Sequence, residues 1–141
     1  MINNPLIILP GYALRRISAA FMGRFAARLV GLDLLPAEAS VLLVIGANPG
    51  ATQSEIGRLL GIASANMAPL AARLVKRDLI VRQAVDGRSH GLTLSDVGRR
   101  VAQKVRKVID ELEADLLARI PEADRAAFLK VLGILARRED A

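Results

Sequence analysis

Side chains that suit contacts with double-stranded DNA are concentrated in residues 63–81, ASANMAPLAARLVKRDLIV. Ser64 and Asn66, near the start of this stretch, can donate and accept hydrogen bonds, and asparagine pairs well with adenine. Met67 or Ala65 offers an apolar contact to a thymine methyl group. The residue types at this end therefore match the chemistry of base edges.

Three cations lie later in the same stretch. Arg73 can reach a guanine edge, while Lys76 and Arg77 lie where phosphates are within reach. Cations in the last turn of a helix also interact favourably with the negative end of its dipole. The stretch therefore predicts a helix that contacts bases with its earlier turns and the DNA backbone with its last.

The composition agrees with a polyanionic partner. The chain carries 20 Lys and Arg against 14 Asp and Glu, which gives a formal charge of +6, and such a balance favours nucleic acid. Aromatic residues make up only 3% of the chain, so a stacking platform for single strands is not expected. Hydrophobic residues make up 52%, which is typical of a folded soluble protein.

Residue sets for catalysis or metal binding are missing from the sequence. The chain has no cysteine, which excludes disulfides and thiolate nucleophiles. It also has no nucleophile elbow, phosphate-binding glycine loop or dinucleotide fingerprint. The lone His90 has no partners for a metal, and we expect it to be solvated or to contact a phosphate. The sequence therefore predicts no enzyme, no metal site and no cofactor.

Hydrophobic spacing and capping residues predict the elements that position these side chains. Apolar residues three or four apart indicate helices over 12–31 and 36–46. A short helix starts at residue 53 after a capping box formed by Thr52 and Glu55. Its end is marked by Gly61.

Beyond the 63–81 stretch the pattern changes to strands and then returns to helix. The Asp86-Gly87 pair lies between alternating apolar residues and predicts a β-hairpin. An apolar stripe from Val97 to Leu116 indicates a long helix. A last helix opens at Pro121.

The start of the chain and Pro69 leave choices to be made. Residues 1–10, MINNPLIILP, have no basic region and no cleavage pattern, and we interpret them as a short docking arm rather than a signal peptide. If Ser64 is the N-cap of its helix, Pro69 costs one interior hydrogen bond. If Asn66 is the N-cap, Pro69 falls in the first turn, where no bond is lost. We favour Asn66.

The element order across residues 36–94 is that of a winged helix-turn-helix. Three segments carry a resemblance to the MarR family of bacterial transcriptional regulators: TQSEIGRLLGI, AARLVKRDLIV and DGRSHGLTLSDVG. The resemblance covers nearly the whole chain. It implies a mainly α fold with a small β-hairpin wing, composed of a winged helix-turn-helix lobe and a helical dimerisation lobe. One departure is Asp78, where the family usually has glycine in left-handed geometry, which aspartate tolerates.

The resemblance also implies an obligate homodimer that reads the two halves of a pseudo-palindrome. Residues 1–35 and 95–141 would form the dimerisation region, and residues 36–94 the DNA-binding lobe. The long apolar stripe agrees, because it needs more partner surface than one small lobe provides. A monomeric bundle that buries this stripe internally is the alternative.

Further site residues follow from the resemblance. In the wing, Asp86 and Arg88 match an Asp-x-Arg pattern in which the arginine enters the minor groove and the aspartate orients it. Contacts to phosphates or grooves are predicted for Thr52, Gln53, Lys76, Arg77, Arg88 and Ser89. The family's effectors suggest a cleft for a small aromatic or lipophilic anion. Of the two candidate classes, we favour an aromatic acid over an acyl thioester. Candidate cations there are Arg15, Arg16, Arg24, Arg28, Arg99 and Arg100.

Together these observations predict a cytoplasmic, homodimeric repressor that binds a pseudo-palindromic operator and is released by such an anion. The alternative is a winged-helix protein-interaction module without sequence-specific DNA binding. Steep salt dependence of duplex binding would distinguish the two.

Overall fold

The computed structural model describes residues 1–87 and 89–139, the last two of these by their backbone alone. Six helices and two strands occur in this part of the chain: α1 (Pro10–Leu29), α2 (Pro36–Ala47), α3 (Gln53–Leu60), α4 (Ser64–Lys76), β1 (Ile80–Ala84), β2 (His90–Leu94), α5 (Asp96–Ala118) and α6 (Glu122–Glu139). Short 3-10 turns cover Pro5–Ile8 and Val30–Leu32. The predicted mainly helical fold with one hairpin is confirmed. The chain divides into two compact units, residues 1–109 and 110–141.

Helix α2 lies at the centre of the core of the first unit. Its buried residues are Glu38, Ala39, Val41, Leu42 and Ile45. Other elements of this unit add the buried side chains Phe25, Leu29, Leu34, Ile56, Met67, Ala71, Leu74, Leu79, Ile80, Leu92, Ala102, Val105 and Val108. Full burial of one such large aliphatic side chain contributes about 1.5–3 kcal/mol, so burial of this set is the main favourable contribution to the folding of the unit.

Helix α1 is buried only near its end. Phe25 and Leu29 are buried, whereas Leu14 and Ile17 are exposed. Among the described residues no single helix is long and apolar enough to span a membrane. The segments Pro10–Leu32 and Pro36–Ala47 pass that test only as a pair, with a bend of 78° between them.

The connection from α3 to α4 is a tight bend of the helix-turn-helix type. Thr52 caps α3 through the predicted capping box with Glu55, which the structure confirms. Gly61 ends α3 in the left-handed conformation with φ 67°, where a side chain would be strained. The N–H of Ile62 then bonds to the carbonyl of Gly57 at 2.8 Å, so the bend closes within two residues.

Helix α4 starts earlier than the sequence predicted. Ala63 is the N-cap, and its carbonyl accepts the N–H of Met67 at 2.9 Å. The favoured Asn66 cap is therefore wrong, and Ser64 is not the cap either. Pro69 lies inside the helix, where its missing N–H cannot serve the carbonyl of Ala65. Alanine has no capping side chain, so nothing in the sequence marked this position.

The hairpin is held to the N-terminus of α3. Strands β1 and β2 are antiparallel, with Arg82 opposite Leu92. The N–H of Leu92 bonds to the carbonyl of Ala51 at 2.8 Å, and Thr52 forms a β-bridge with Gly91. A side chain at Gly91 would place its Cβ 2.5 Å from the carbonyl oxygen of Gly50. Glycine at this position therefore permits the close approach of the two segments.

The start of α5 is attached to the end of α4. Asp78 adopts the left-handed conformation with φ 56°, as predicted for this departure from glycine. The hydroxyl of Ser95 donates to the carbonyl of Asp78 and accepts the N–H of Gly98 at 2.9 Å. The N–H of Ser95 bonds to the carbonyl of Leu79 at 3.0 Å. Ser95 therefore both caps α5 and ties it to the segment after α4.

The second unit contains the end of α5 and helix α6. Leu112 is buried, and Arg125 donates through Nε to the carbonyl of Ile120 at 3.0 Å. Four large apolar side chains of α6 are exposed: Leu129, Val131, Ile134 and Leu135. The predicted division into a DNA-binding lobe and a dimerisation region stays a prediction.

Candidate nucleic-acid interface

The first turn of α4 presents its polar residues to solvent. Ser64 and Asn66 are exposed, and so is Ala65 between them. The opposite side of the helix is buried in the core. Within the described part of the chain, neither polar side chain has a hydrogen-bond partner, so both are available to the donors and acceptors of base edges.

The structure corrects the base contact predicted for Met67. Its side chain is only 1% exposed. A Cβ built on Gly57 would lie 3.4 Å from Cγ of Met67, so the methionine packs against α3. A contact between Met67 and a thymine methyl group is therefore contradicted, because a helix cannot present the same residue to the core and to DNA. Ala65, the other residue suggested for this contact, is exposed.

Arg73 is held by a buried carboxylate. Its Nη2 lies 2.7 Å from Oε1 of Glu38, whose side chain is 4% exposed. The same oxygen accepts the backbone N–H of Leu35 at 2.8 Å, at the first turn of α2. A base contact by Arg73 would leave a buried carboxylate without its cation, which is costly. The structure therefore does not support the base contact predicted for Arg73.

Arg77 is held in the same region, close to the junction of α1 and α2. Its guanidinium donates to the carbonyl of Leu32 at 3.0 Å and to that of Asp33. We use the name clasp for Glu38, Arg73, Arg77 and the backbone groups of residues 32–35 that they bind. A phosphate contact by Arg77 would compete with these bonds.

Lys76 lies beside the clasp but is not part of it. The clasp borders a cavity of about 490 Å³, which Lys76 lines together with Val30 and Leu34. Lys76 is exposed and has no ion pair in the described residues. It therefore remains available for the phosphate contact predicted for it.

Thr52 is fully engaged in its capping box. Its hydroxyl accepts the N–H of Glu55 at 3.3 Å and donates to Oε2 of Glu55 at 3.0 Å. Its backbone N–H donates to the same oxygen at 2.8 Å. These hydrogen bonds hold the pKa of the Glu55 carboxyl below its ordinary value of 4.5, and the bond from the Thr52 backbone has the largest effect. The phosphate contact predicted for the Thr52 side chain would have to compete with them.

A cavity of about 380 Å³ lies between the N-terminus of α3 and the hairpin. We call it the wing cavity; its lining residues are Thr52, Gln53, Ser54, Arg82, Ser89, His90 and Leu92. Arg82 and His90 belong to one face of the hairpin, because the partner of Arg82 is Leu92 and that of His90 is Ala84. The cavity therefore brings the predicted residues Thr52, Gln53 and Ser89 together with three further polar residues.

The tip of the hairpin is closed by a carboxylate. Oδ1 of Asp86 accepts the N–H of Ser89 at 2.8 Å, and the carbonyl of Ser89 accepts the N–H of Val85 at 3.0 Å. Arg88, the residue predicted to enter the minor groove, lies outside the described residues. Its orientation by Asp86 stays a prediction.

The candidate effector cations do not form one group. Arg15 and Arg16 lie over the ring of Tyr12, at 5.4 and 5.9 Å from its centroid. Arg99 forms an ion pair with Asp96 and lines a cavity of about 500 Å³ beside α2 and the hairpin. None of the α1 arginines lines that cavity.

The other candidate cations, Arg24, Arg28 and Arg100, are exposed. Of the described residues that line the cavity beside Arg99, none is one of these three. The effector cleft stays a prediction.

Two features of the site were not found from the sequence. Glu38 was not singled out, although a glutamate at the third position of a helix that begins with Pro36 is a usable signal for an N-terminal hydrogen bond. Arg82 was also missed, because its role depends on which face of the hairpin meets α3. Alternation along β1 could have placed it on the face of buried Ile80.

Comparison with known proteins gives a consistent answer. The MarR family model matches residues 32–89. The structure of the transcriptional repressor CouR bound to a 23-mer DNA duplex is similar with a TM-score of 0.85 and 34% identity, covering 96% of this chain and 99% of that one. CouR bound to p-coumaroyl-CoA is similar with a TM-score of 0.83 and 33% identity, covering 97% and 98%.

A third similar structure is Rv2887 of Mycobacterium tuberculosis, a MarR family protein in complex with salicylic acid. Its TM-score is 0.72 at 27% identity, covering 94% of this chain and 97% of that one. In sequence, the HTH-type transcriptional repressor Rv2887 is 27% identical over 124 residues, which is 86% of this chain and 89% of the repressor. These proteins are transcriptional regulators.

Proposed function

This chain belongs to the MarR family of transcriptional regulators, and we propose that it is a ligand-responsive repressor. As a cytoplasmic homodimer it binds a pseudo-palindromic operator in double-stranded DNA. It leaves the operator when a small aromatic or lipophilic anion binds. Acyl thioesters belong to this class of effector. It catalyses no reaction.

The observation that carries this proposal is the exposed first turn of α4 in a fold similar to that of a repressor solved on DNA. A recognition helix places its N-terminal residues at base edges. Ser64 and Asn66 are free to make those contacts, and Ala65 supplies an apolar one. Lys76 binds a phosphate, and Arg88 enters the minor groove.

Homodimer formation is supported by apolar side chains that a single chain leaves in solvent. In the first unit, Ile7 is 64% exposed, Ile8 82% and Ile17 52%. In the second unit, Leu129 is 53% exposed and Val131 52%. Apolar surface of this extent marks an interface, and a twofold partner covers it with the same surface from both chains. Two winged lobes then meet two half-sites.

The effector class is supported by the ligands of the relatives. The ligand bound to CouR is p-coumaroyl-CoA, and that bound to Rv2887 is salicylic acid. Both ligands combine an aromatic ring with negative charge. An anion of this kind releases DNA only if it binds the DNA-free arrangement of the dimer better than the DNA-bound one.

The decisive experiment is fluorescence anisotropy with duplexes selected by the purified protein from a random library. We expect saturable binding that falls steeply with salt, because phosphate contacts release counterions. Addition of salicylate, p-coumarate or p-coumaroyl-CoA should then release the DNA. A duplex of the same composition with a scrambled sequence is the control.

Weak binding to every duplex at low salt would contradict the proposal. The chain would then be a winged-helix module that binds another protein. Tight, salt-dependent DNA binding that no aromatic anion reverses would contradict the effector class alone.

A further inference from the structure

We propose that the wing cavity binds one phosphate of the DNA backbone, and that Arg82 and His90 are the side chains that hold it. The inference rests on the proposed DNA-binding function. It assigns a role to Arg82, which neither the family pattern nor the sequence reasoning placed on DNA, and it selects the phosphate contact over the solvated position for His90. The phosphate would join the hairpin to the N-terminus of α3.

The first argument is that the hydrogen-bond donors lining the cavity are unused. Within the described residues, Arg82, His90 and Gln53 have no side-chain hydrogen bond or ion pair. Arginine brings five N–H donors and a permanent charge, and the imidazole has at least one N–H in either protonation state. The arginine cations of the clasp, by contrast, are already bound to protein oxygens.

The second argument is electrostatic. Among the residues that the structure describes, no acidic one lines the wing cavity. The nearby carboxylates are engaged elsewhere: Glu55 accepts hydrogen bonds from Thr52, and Asp86 accepts the N–H of Ser89. A cavity that has cationic and neutral donors and no lining anion attracts a phosphate oxygen.

The third argument is that the two sides of the cavity are fixed relative to each other. The bridge between Thr52 and Gly91 and the hydrogen bond from Leu92 to Ala51 hold β2 beside the start of α3. The backbone N–H groups of Gln53 and Ser54 are the first two of α3 and have no acceptor in the described residues. They add donors that point out of the helix end. The site is therefore preorganised, and little ordering is needed when a phosphate enters.

The test combines protein variants with single methylphosphonate substitutions in a selected duplex. We expect Arg82→Ala to weaken binding on the order of tenfold and to lower the slope of log K against log salt by about one unit per protomer. Arg82→Lys keeps the charge and should retain the slope. In wild type, a methylphosphonate at one position of each half-site should weaken binding, and in Arg82→Ala the same substitution should have no further effect.

His90→Ala should show the same loss of sensitivity at the same position. Lys104→Ala is the matched control, since it removes an exposed cation of α5 outside the cavity, and it should keep the sensitivity of wild type to that methylphosphonate. Thermal unfolding of each variant checks that these exposed substitutions leave the fold intact.

The experiment distinguishes failure of the proposed function from failure of the phosphate site. If wild type binds no duplex with salt dependence, the proposed function fails. If wild type binds DNA but Arg82→Ala keeps its affinity, its slope and its sensitivity to every methylphosphonate, the function stands and the phosphate site in the wing cavity is overturned.

Discussion

The clasp and the wing cavity use the same residue type for opposite purposes. In the clasp, Arg73 and Arg77 are bound to Glu38 and to backbone carbonyls near the start of α2. In the wing cavity, Arg82 has no partner in the described residues. A cation with an internal partner fixes one helix against another, whereas a cation without one is available to an external anion. Being basic is therefore not enough to mark a DNA contact.

The largest effect on stability is expected when the carboxylate of the clasp is removed. Glu38→Ala takes away the acceptor shared by Arg73 and the N–H of Leu35. The free energy of unfolding should fall by about 2–3 kcal/mol, because the amide loses its partner while the half-exposed guanidinium is partly resolvated. Urea denaturation measures this, and Glu38→Gln, which keeps an acceptor, should lose less. Equal stability of Glu38→Ala and wild type would show that the clasp does not hold α4.

Removal of the cation from the same pair should cost less. Arg73→Ala is expected to lower the free energy of unfolding by about 1–2 kcal/mol, since it leaves the Glu38 carboxylate without its ion pair. The salt slope of DNA binding should remain that of wild type. Lys76→Ala, by comparison, should keep the stability and lower the slope by about one unit per protomer. If Arg73→Ala lowered the salt slope of DNA binding as much as Lys76→Ala does, an internal ion pair would not keep a cation from contacting DNA.

The cap of α3, next to the wing cavity, should contribute about 1 kcal/mol. Thr52→Ala loses the hydroxyl that binds the N–H of Glu55, a typical N-cap loss. Denaturation in urea is again the measurement, and Ser54→Ala, which keeps the capping box, is the control. Thr52→Ser should retain most of the stability, because its hydroxyl can make the same bonds.

The same cap predicts a pH dependence. Because the pKa of Glu55 is lowered from 4.5 in the folded chain, its contribution to stability is present above pH 4.5 and is lost as the pH falls through the lowered value. Glu55→Gln should therefore differ from wild type at neutral pH, and the difference should shrink on acidification. Denaturation curves across that range measure it, and a difference independent of pH would argue against the charged capping bond.

The smallest effect on stability is expected at the wing tip. Arg88→Ala should unfold like wild type and should lower the salt slope of DNA binding by about one unit per protomer. Combination with Arg82→Ala should give additive slope changes if the two arginines meet different phosphates or grooves. Unchanged affinity and slope in Arg88→Ala would contradict the wing assignment.

Much of the scaffold was predictable because its signals are local. The capping box of Thr52 and Glu55 and the glycine after α3 involve residues within one helix and its ends. Asp78 adopted the left-handed conformation that its place after α4 implied. Each of these depends on backbone geometry over a few residues, and sequence spacing reports such geometry directly.

The start of α4 and the side that it buries were not predictable in the same way. Ala63 caps the helix without a side chain, and the bond between Ile62 and Gly57 brings the chain to that point. A shift of three residues in the N-cap changed the position of Pro69 from the first turn to the interior. The direction of Met67 depends on where α3 packs, which spacing along α4 alone does not report.

The order of elements, the basic charge, the absence of cysteine and the resemblance to the MarR family can all be read from the sequence, because they depend on composition and on contacts a few residues apart. Which cations are engaged depends on how distant segments pack. Arg77 meets a carbonyl 45 positions earlier in the chain, and Arg82 faces the start of α3 through the register of the hairpin. Ion pairs and cavities between distant segments arise when helices pack, so the choice between holding the fold and contacting DNA is made at that level.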